Sequence, residues 1–398
     1  MQKLFLVSLF FLLSNASFGQ RKIDLNDLLL QQLLAIDTTT VALPNTFKPS
    51  YLEKIDLRTE TDEFDIANQR YSIRLSPSTA KIRKAQRNLY QLYQEKGQLT
   101  QQRQMIKHID RAYENVLNIF RLSKEISLQQ SLLEVLKDEE KVYQKLIVSS
   151  AEAPEKWLDL QQEIAQIEIE LFDNQQNITH LAVEGATTLD WATMISAEKL
   201  VEQLSMPLAQ NSYFLEQKRN DLELALVTGE IQLEQAESRN LFDFIQLEYQ
   251  DSKQNAFREQ VAVTAAFQIP FSSNAKLKIA ELNLEKISAQ QKIEDRQFWK
   301  QQKEKDLVHQ LQLDTEIYQR FQTNQQANEE QFNVLLETYD QYKTASPLLL
   351  LHQKKVTIQQ QMSLLKMEHK LYQTYLEYLQ LTEQLYQLPL RNCLMEKE

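Results

Sequence analysis

Leu75-Ser76-Pro77-Ser78-Thr79-Ala80-Lys81-Ile82-Arg83-Lys84-Ala85 returns later in the chain as Ile269-Pro270-Phe271-Ser272-Ser273-Asn274-Ala275-Lys276-Leu277-Lys278-Ile279-Ala280. A shift of 195 positions carries Ala80, Lys81, Ile82, Arg83 and Ala85 onto Ala275, Lys276, Leu277, Lys278 and Ala280. Each stretch ends a β-prone segment at a proline and opens a long run without one, so each reads as a strand stop followed by a helix start. The same shift carries Ile82, Ala85, Leu89 and Leu92 onto Leu277, Ala280, Leu284 and Ile287, in alternating steps of three and four. That is the 3.5-residue period of a coiled-coil seam.

Working outward, the helical pattern extends from about Thr79 to Val148 through Ile106, Ile109, Tyr113, Val116 and Phe120, and resumes through Leu160, Ile164, Ile167, Leu171, Ile178 and Leu181. Seventy residues at 1.5 Å each make a rod of roughly 105 Å, longer than a compact domain needs. Proline-bearing breaks, Val148-Ser149-Ser150-Ala151-Glu152-Ala153-Pro154 and Thr344-Ala345-Ser346-Pro347, follow each rod at nearly the same offset and read as hairpin tips. Ahead of the rods lie four segments of period-two alternation: Ile55 to Thr61, Tyr71 to Leu75, Phe242 to Tyr249 and Val261 to Ile269. Such alternation reads as strands. The expected fold is mainly α: long antiparallel coiled-coil helical hairpins with two short β-strand pairs, internally duplicated. The divisions fall at 1–19, 20–195 and 196–398, the first a leader and the others two repeats.

The leader is a secretory signal by its parts: Lys3, the apolar run Leu4 to Leu13, and the small-x-small site Ser17-Phe18-Gly19 before Gln20. No later stretch is apolar enough for a transmembrane helix, so passage through a membrane would fall to the strands.

Composition removes the common enzyme classes. The whole chain holds 4 Gly, dispersed as Gly19, Gly97, Gly185 and Gly229, so no phosphate loop, dinucleotide fingerprint or nucleophile elbow can be assembled. One cysteine, Cys393, excludes an intrachain disulfide and a cysteine zinc site. His108, His180, His309, His352 and His369 lack a partner at i+3 or i+4, so no metal site is expected. A net charge of −11 speaks against a nucleic-acid partner, and no cofactor is expected. Charge runs such as Lys137-Asp138-Glu139-Glu140-Lys141 read as solvated helix faces, and Tyr372, Tyr375, Tyr378 and Tyr386 as packing. No catalytic residue is assigned.

Signal, strand pairs, helix starts and tips together resemble the TolC-type outer-membrane efflux proteins over nearly the whole mature chain. The resemblance implies a homotrimer in outer-membrane lipid, each copy giving four strands to one barrel. It also implies helices that reach through the periplasm toward a periplasmic adaptor and an inner-membrane pump, and passive export or type I secretion. Four strands alone leave open edges, which lipid does not tolerate, so oligomerisation follows if the strands enter a membrane. The lipid-facing strand residues are expected to be Val261, Val263, Ala265, Phe267 and Ile269, with Thr264 toward the lumen. Arg58, Glu60 and Asp62 must also face inward. Docking at the tips is expected at Ala151, Ala153 and Pro154, and at Pro347, Leu348, Leu349, Leu350 and Leu351. Three features depart from the family pattern. Neither tip has a glycine, the stretch Leu348 to Gln353 has no acid, and the first leading helix, about Asp24 to Leu43, is shorter than its counterpart at about Ala197 to Ser238. A periplasmic coiled-coil scaffold, its strands forming a small soluble sheet, is the alternative.

Overall fold

The computed structural model describes residues 47–61, 69–148, 150–181, 194–204, 213–250, 261–267, 273–342, 347–386 and 392–394. The leader, the Asp24–Leu43 segment, Asp62, Ile269 and 344–346 lie outside them. In chain order the elements are β1 (Leu52–Thr61), β2 (Gln69–Pro77), α1 (Ala80–Leu146), α2 (Ala153–Leu181), α3 (Ala197–Leu204), α4 (Phe214–Ser238), β3 (Phe242–Gln250), β4 (Val261–Phe267), α5 (Ser273–Tyr342) and α6 (Pro347–Leu381). A single 3₁₀ turn, Gln384–Tyr386, follows. Within the stretch read as one leading helix over Ala197 to Ser238, the described residues form α3 and α4.

Two compact units arise. One draws on Thr38–Gln104 and Tyr213–Lys300, the other on Met1–Asp37, Met105–Ser212 and Gln301–Glu398. In the first, the four strands form one antiparallel sheet in the order β1-β2-β3-β4, so both outer strands are open edges. The helix after β2 is started by Thr79, whose Oγ1 accepts the backbone N–H of Ile82 at 3.3 Å, an N-cap that satisfies a donor the first turn leaves free. Helix α4 packs antiparallel on α1 through Leu222 and Leu226 against Leu89, Leu92 and Leu99. Gly229 permits the close approach: a Cβ there would meet Leu89 Cδ1 at 3.2 Å. On its other side α4 meets α5, where Val227 and Ile231 bury Leu282 and Arg296 pairs with Glu223 at 2.7 Å.

The second unit is helical. Its core joins Val116, Leu117 and Phe120 of α1 to Leu200 of α3, Leu311 and Tyr318 of α5, and Leu371, Tyr372 and Leu376 of α6. Tyr372 donates its hydroxyl to the Ile195 carbonyl at 2.5 Å, giving the buried phenol the partner it needs. Asp314, 4% exposed, accepts from Gln310 at 2.8 Å, Thr374 at 2.9 Å and Lys370 at 2.8 Å, which ties α5 to α6. Helices α1 and α2 form an antiparallel hairpin: Leu132 and Leu136 pack on Leu160, Ile164 and Ile167. Lys137 reaches Glu168 at 2.9 Å and Asn174 donates to Gln129 at 3.0 Å across the same seam.

Candidate membrane-facing surface and helix tips

Register turns the alternation of the strands into two chemically distinct faces. Directly paired residues share a face, because successive side chains of a strand point to opposite sides. One face is built of Ile55, Leu75, Ile245 and Ala265, then Leu57, Ile73, Leu247 and Val263, then Thr59, Tyr71, Tyr249 and Val261. Only Thr59 in these three rungs is not apolar or aromatic. Most of the large members are open to the surroundings, Leu57 at 75% and Val263 at 70%, while Leu75 and Tyr249 are half-buried. Aromatic residues stand at both ends of the band, Tyr71 and Tyr249 at one and the Phe242–Phe267 pair, ring centroids 5.3 Å apart, at the other.

The opposite face carries Asp56, Arg74, Gln246 and Thr264, then Arg58, Ser72, Glu248 and Ala262. Asp56, Arg74, Gln246 and Glu248 among them are partnered, Asp56 by Lys54 at 3.0 Å. Arg74 donates to Gln246 at 2.9 Å and lies 3.7 Å over the Phe244 ring, and Gln246 donates to Glu248 at 3.2 Å. Arg58 and Glu60 belong to this face, Ile55 and Leu57 to the apolar one. Reasoning from sequence named only the β4 members as the face. Tyr71, Ile73, Leu75, Ile245, Leu247 and Tyr249 belong to it equally: their own alternation marked two sets of side chains per strand, and the pairing assigns these to the apolar face. An apolar band with aromatic ends on one side and hydrogen-bonded polar groups on the other is what a sheet needs between lipid and water.

The two tips are unlike. At the first, Ile147 and Val148 lead into a turn in which Ala153 N–H donates to the Ser150 carbonyl at 3.4 Å. Ala153 is buried, whereas Ala151 and Pro154 are exposed. At the second, Pro347 opens α6, where a missing N–H costs nothing. Of the four leucines only Leu350 is exposed; Leu348, Leu349 and Leu351 are half-buried. Leu350 lines an open groove with Val135 of α1 and Phe332 of α5.

Elsewhere, His369 is buried and its pKa is brought down to about 4, first by burial and then by the Arg121 guanidinium. Burial raises the neighbouring Glu368 carboxyl, against the pull of Lys124. Among the described residues no three His, Cys, Asp or Glu side chains are grouped to hold a metal ion, and no helix is long and apolar enough to cross a membrane.

No protein-family model matches the chain, and no curated protein matches it. Solved structures do. The outer membrane protein VceC of Vibrio cholerae aligns over 83% of this chain and 85% of that one, at 11% identity and a TM-score of 0.56. The open-state MtrE outer membrane channel of Neisseria gonorrhoeae aligns over 90% and 85%, at 11% identity and 0.55. The CmeC outer membrane channel of Campylobacter jejuni aligns over 83% and 77%, at 10% identity and 0.53. The chain has the fold of TolC-type outer-membrane channel protomers.

Proposed function

We propose that this chain is one subunit of an outer-membrane channel for efflux or type I secretion, a passive conduit in which the chain does no covalent chemistry. The observation that carries the reading is the three-rung apolar face running across all four strands, with partnered polar groups behind it and open edges at β1 and β4. A soluble sheet would cover such a face with helix or loop; a barrel wall presents it to lipid. Because the strand number is even and every pair antiparallel, β4 of one copy can add to β1 of the next and keep the ring antiparallel. Three copies would make a twelve-stranded barrel in the outer membrane. The similarity to VceC, MtrE and CmeC supports that assembly.

On this reading Val261, Val263, Ala265, Phe267 and Ile269 face lipid. The helices extend into the periplasm, where Ala151, Pro154, Pro347 and Leu348 to Leu351 meet a periplasmic adaptor and inner-membrane pump; Ala153, expected among them, is buried beneath the first tip. Residues 1–19 are the leader, and 20–195 and 196–398 the two repeats, each a leading helix, a strand pair and a hairpin.

Fractionation with planar-bilayer recording tests the reading. The expected result is a detergent-extracted oligomer from the outer membrane that conducts ions across a bilayer. A monomer released from the periplasm without detergent, and silent in bilayers, would instead make the chain a periplasmic scaffold.

A further inference from the structure

We infer that Arg103, Arg219, Lys292 and Arg296, with Trp299 beside them, form a station on the tunnel side of the strand-bearing unit for an anionic aromatic compound, a planar ring bearing sulfonate or carboxylate. The inference rests on the channel reading and deepens it by naming a class of transported compound.

Helix α4 is flanked on two sides. Leu222, Leu226 and Gly229 meet α1, while Val227 and Ile231 meet Leu282 of α5. At 3.6 residues per turn these two directions stand about 150° apart measured through Arg219 and Glu223, and about 210° apart through Asp221, Ala225 and Thr228. A wall of helices that closes into a ring bends toward the side on which neighbours stand closer, so the Arg219 side is the inner one. On this side Arg296 of α5 reaches across to Glu223 at 2.7 Å. Lys292 and Trp299 lie about one turn before and after Arg296, on the same side of α5 by helical position. From α1, Arg103 enters one turn beyond Leu99, which packs with Leu222.

Positive charge crowds here. Arg219 engages Glu216 through Nη1 at 3.5 Å, and Arg296 engages Glu223 through Nη2 and donates from Nε to the Lys292 carbonyl at 3.2 Å. A guanidinium has more donors than these contacts use, which leaves N–H groups for a ligand. Arg103 and Lys292 are exposed and form no ion pair among the described residues. The Arg219 guanidinium is held below its ordinary pKa, first by burial and then by Arg103, with Arg296 adding to it against Glu216 and Glu223. A sulfonate or carboxylate set among these groups would relieve that repulsion through charge-assisted hydrogen bonds. Asp295 stands at the edge of the group, and toward the strands the same side of α4 turns acidic at Glu230, which accepts from Tyr93 at 3.0 Å. The positive stretch is therefore confined to one level. At that level Trp299 is 67% exposed and edge-on to Phe298, with ring centroids 5.8 Å apart. An indole that the protein leaves open beside bound charge offers a face on which a planar ring can stack.

Naphthalene-1,5-disulfonate is the probe. Its binding to the full chain in detergent is followed by equilibrium dialysis, and its block of the channel current in planar bilayers by titration from the side of the helix tips. Wild type should bind the probe and be blocked by it. R219Q should weaken both effects about tenfold and W299A about threefold. K218Q, which removes the same charge from the other side of α4, should change neither. A conducting wild type that does not bind the probe overturns the inference and leaves the channel reading standing. So does binding without block, or binding that R219Q, W299A and K218Q alter equally. A wild-type protein silent in bilayers overturns both.

Discussion

At the scale of single residues, Val263 and Thr264 form the sharpest contrast in the molecule. They are adjacent in sequence, but Val263 sits in the middle rung with Leu57, Ile73 and Leu247, and Thr264 sits behind it with Asp56, Arg74 and Gln246. A charge in the middle of a lipid-facing band costs about 2–4 kcal/mol, whereas the lumen side is hydrated. V263R should therefore reduce insertion into the outer membrane strongly and T264R only slightly, measured as the heat-resistant oligomer in isolated membranes. Equal insertion of both would mean that the band does not meet lipid. The alternation that separates the two was legible in Val261 to Phe267. The membership of Ile73 or Leu247 in the same face was not, because it depends on which residue lies opposite across the ladder.

At the scale of elements, the hairpin tips separate docking from packing. Leu350 is exposed in the groove beside Val135 and Phe332, while Leu349 is half-buried. L350D should block export of a transported compound and leave the stability read from the thermal midpoint within about 0.5 kcal/mol of wild type, as for a surface change. L349D should lower the midpoint as well, since a carboxylate would take the place of a packed side chain. Export that survives L350D, with stability lost instead, would make the leucines part of the coiled coil alone. The break at Pro347 and the run of leucines were plain in the sequence. That Leu350 is the open one follows from where α1 and α5 pass.

For the molecule as a whole, stability should depend on acid through His369. In the unfolded chain this histidine takes up a proton near its ordinary pKa of about 6.5. In the folded chain it does so only near 4. The unfolded state therefore binds more protons between those values, and stability, complete above about pH 6.5, is lost as pH falls toward 4. Glu368 works the other way, since its raised carboxyl takes up a proton in the folded chain first. Comparison with H369Q isolates the histidine: the drop in thermal midpoint from pH 7 to pH 4.5, followed by far-ultraviolet ellipticity, should be smaller in the variant. The same drop in both proteins would remove His369 as the cause.

Local physics determined the kinds of element here and their order. Steps of three and four without proline make helix whatever surrounds them, and period-two alternation ending in proline makes strand. The likeness of the two helix starts, Ser78 to Ala85 and Ser273 to Ala280, told where each rod begins. Tertiary structure alone decided which apolar faces are satisfied. Leu89 and Leu284 occupy matching places in matching patterns, yet one is packed on α4 and the other lies open. Burial belongs to a pair of surfaces, and a pattern along one helix specifies only its own half. Strand register obeys the same logic. Alternation divides a strand into two sets of side chains, but only pairing with its neighbours sums four such sets into an apolar wall and a polar one.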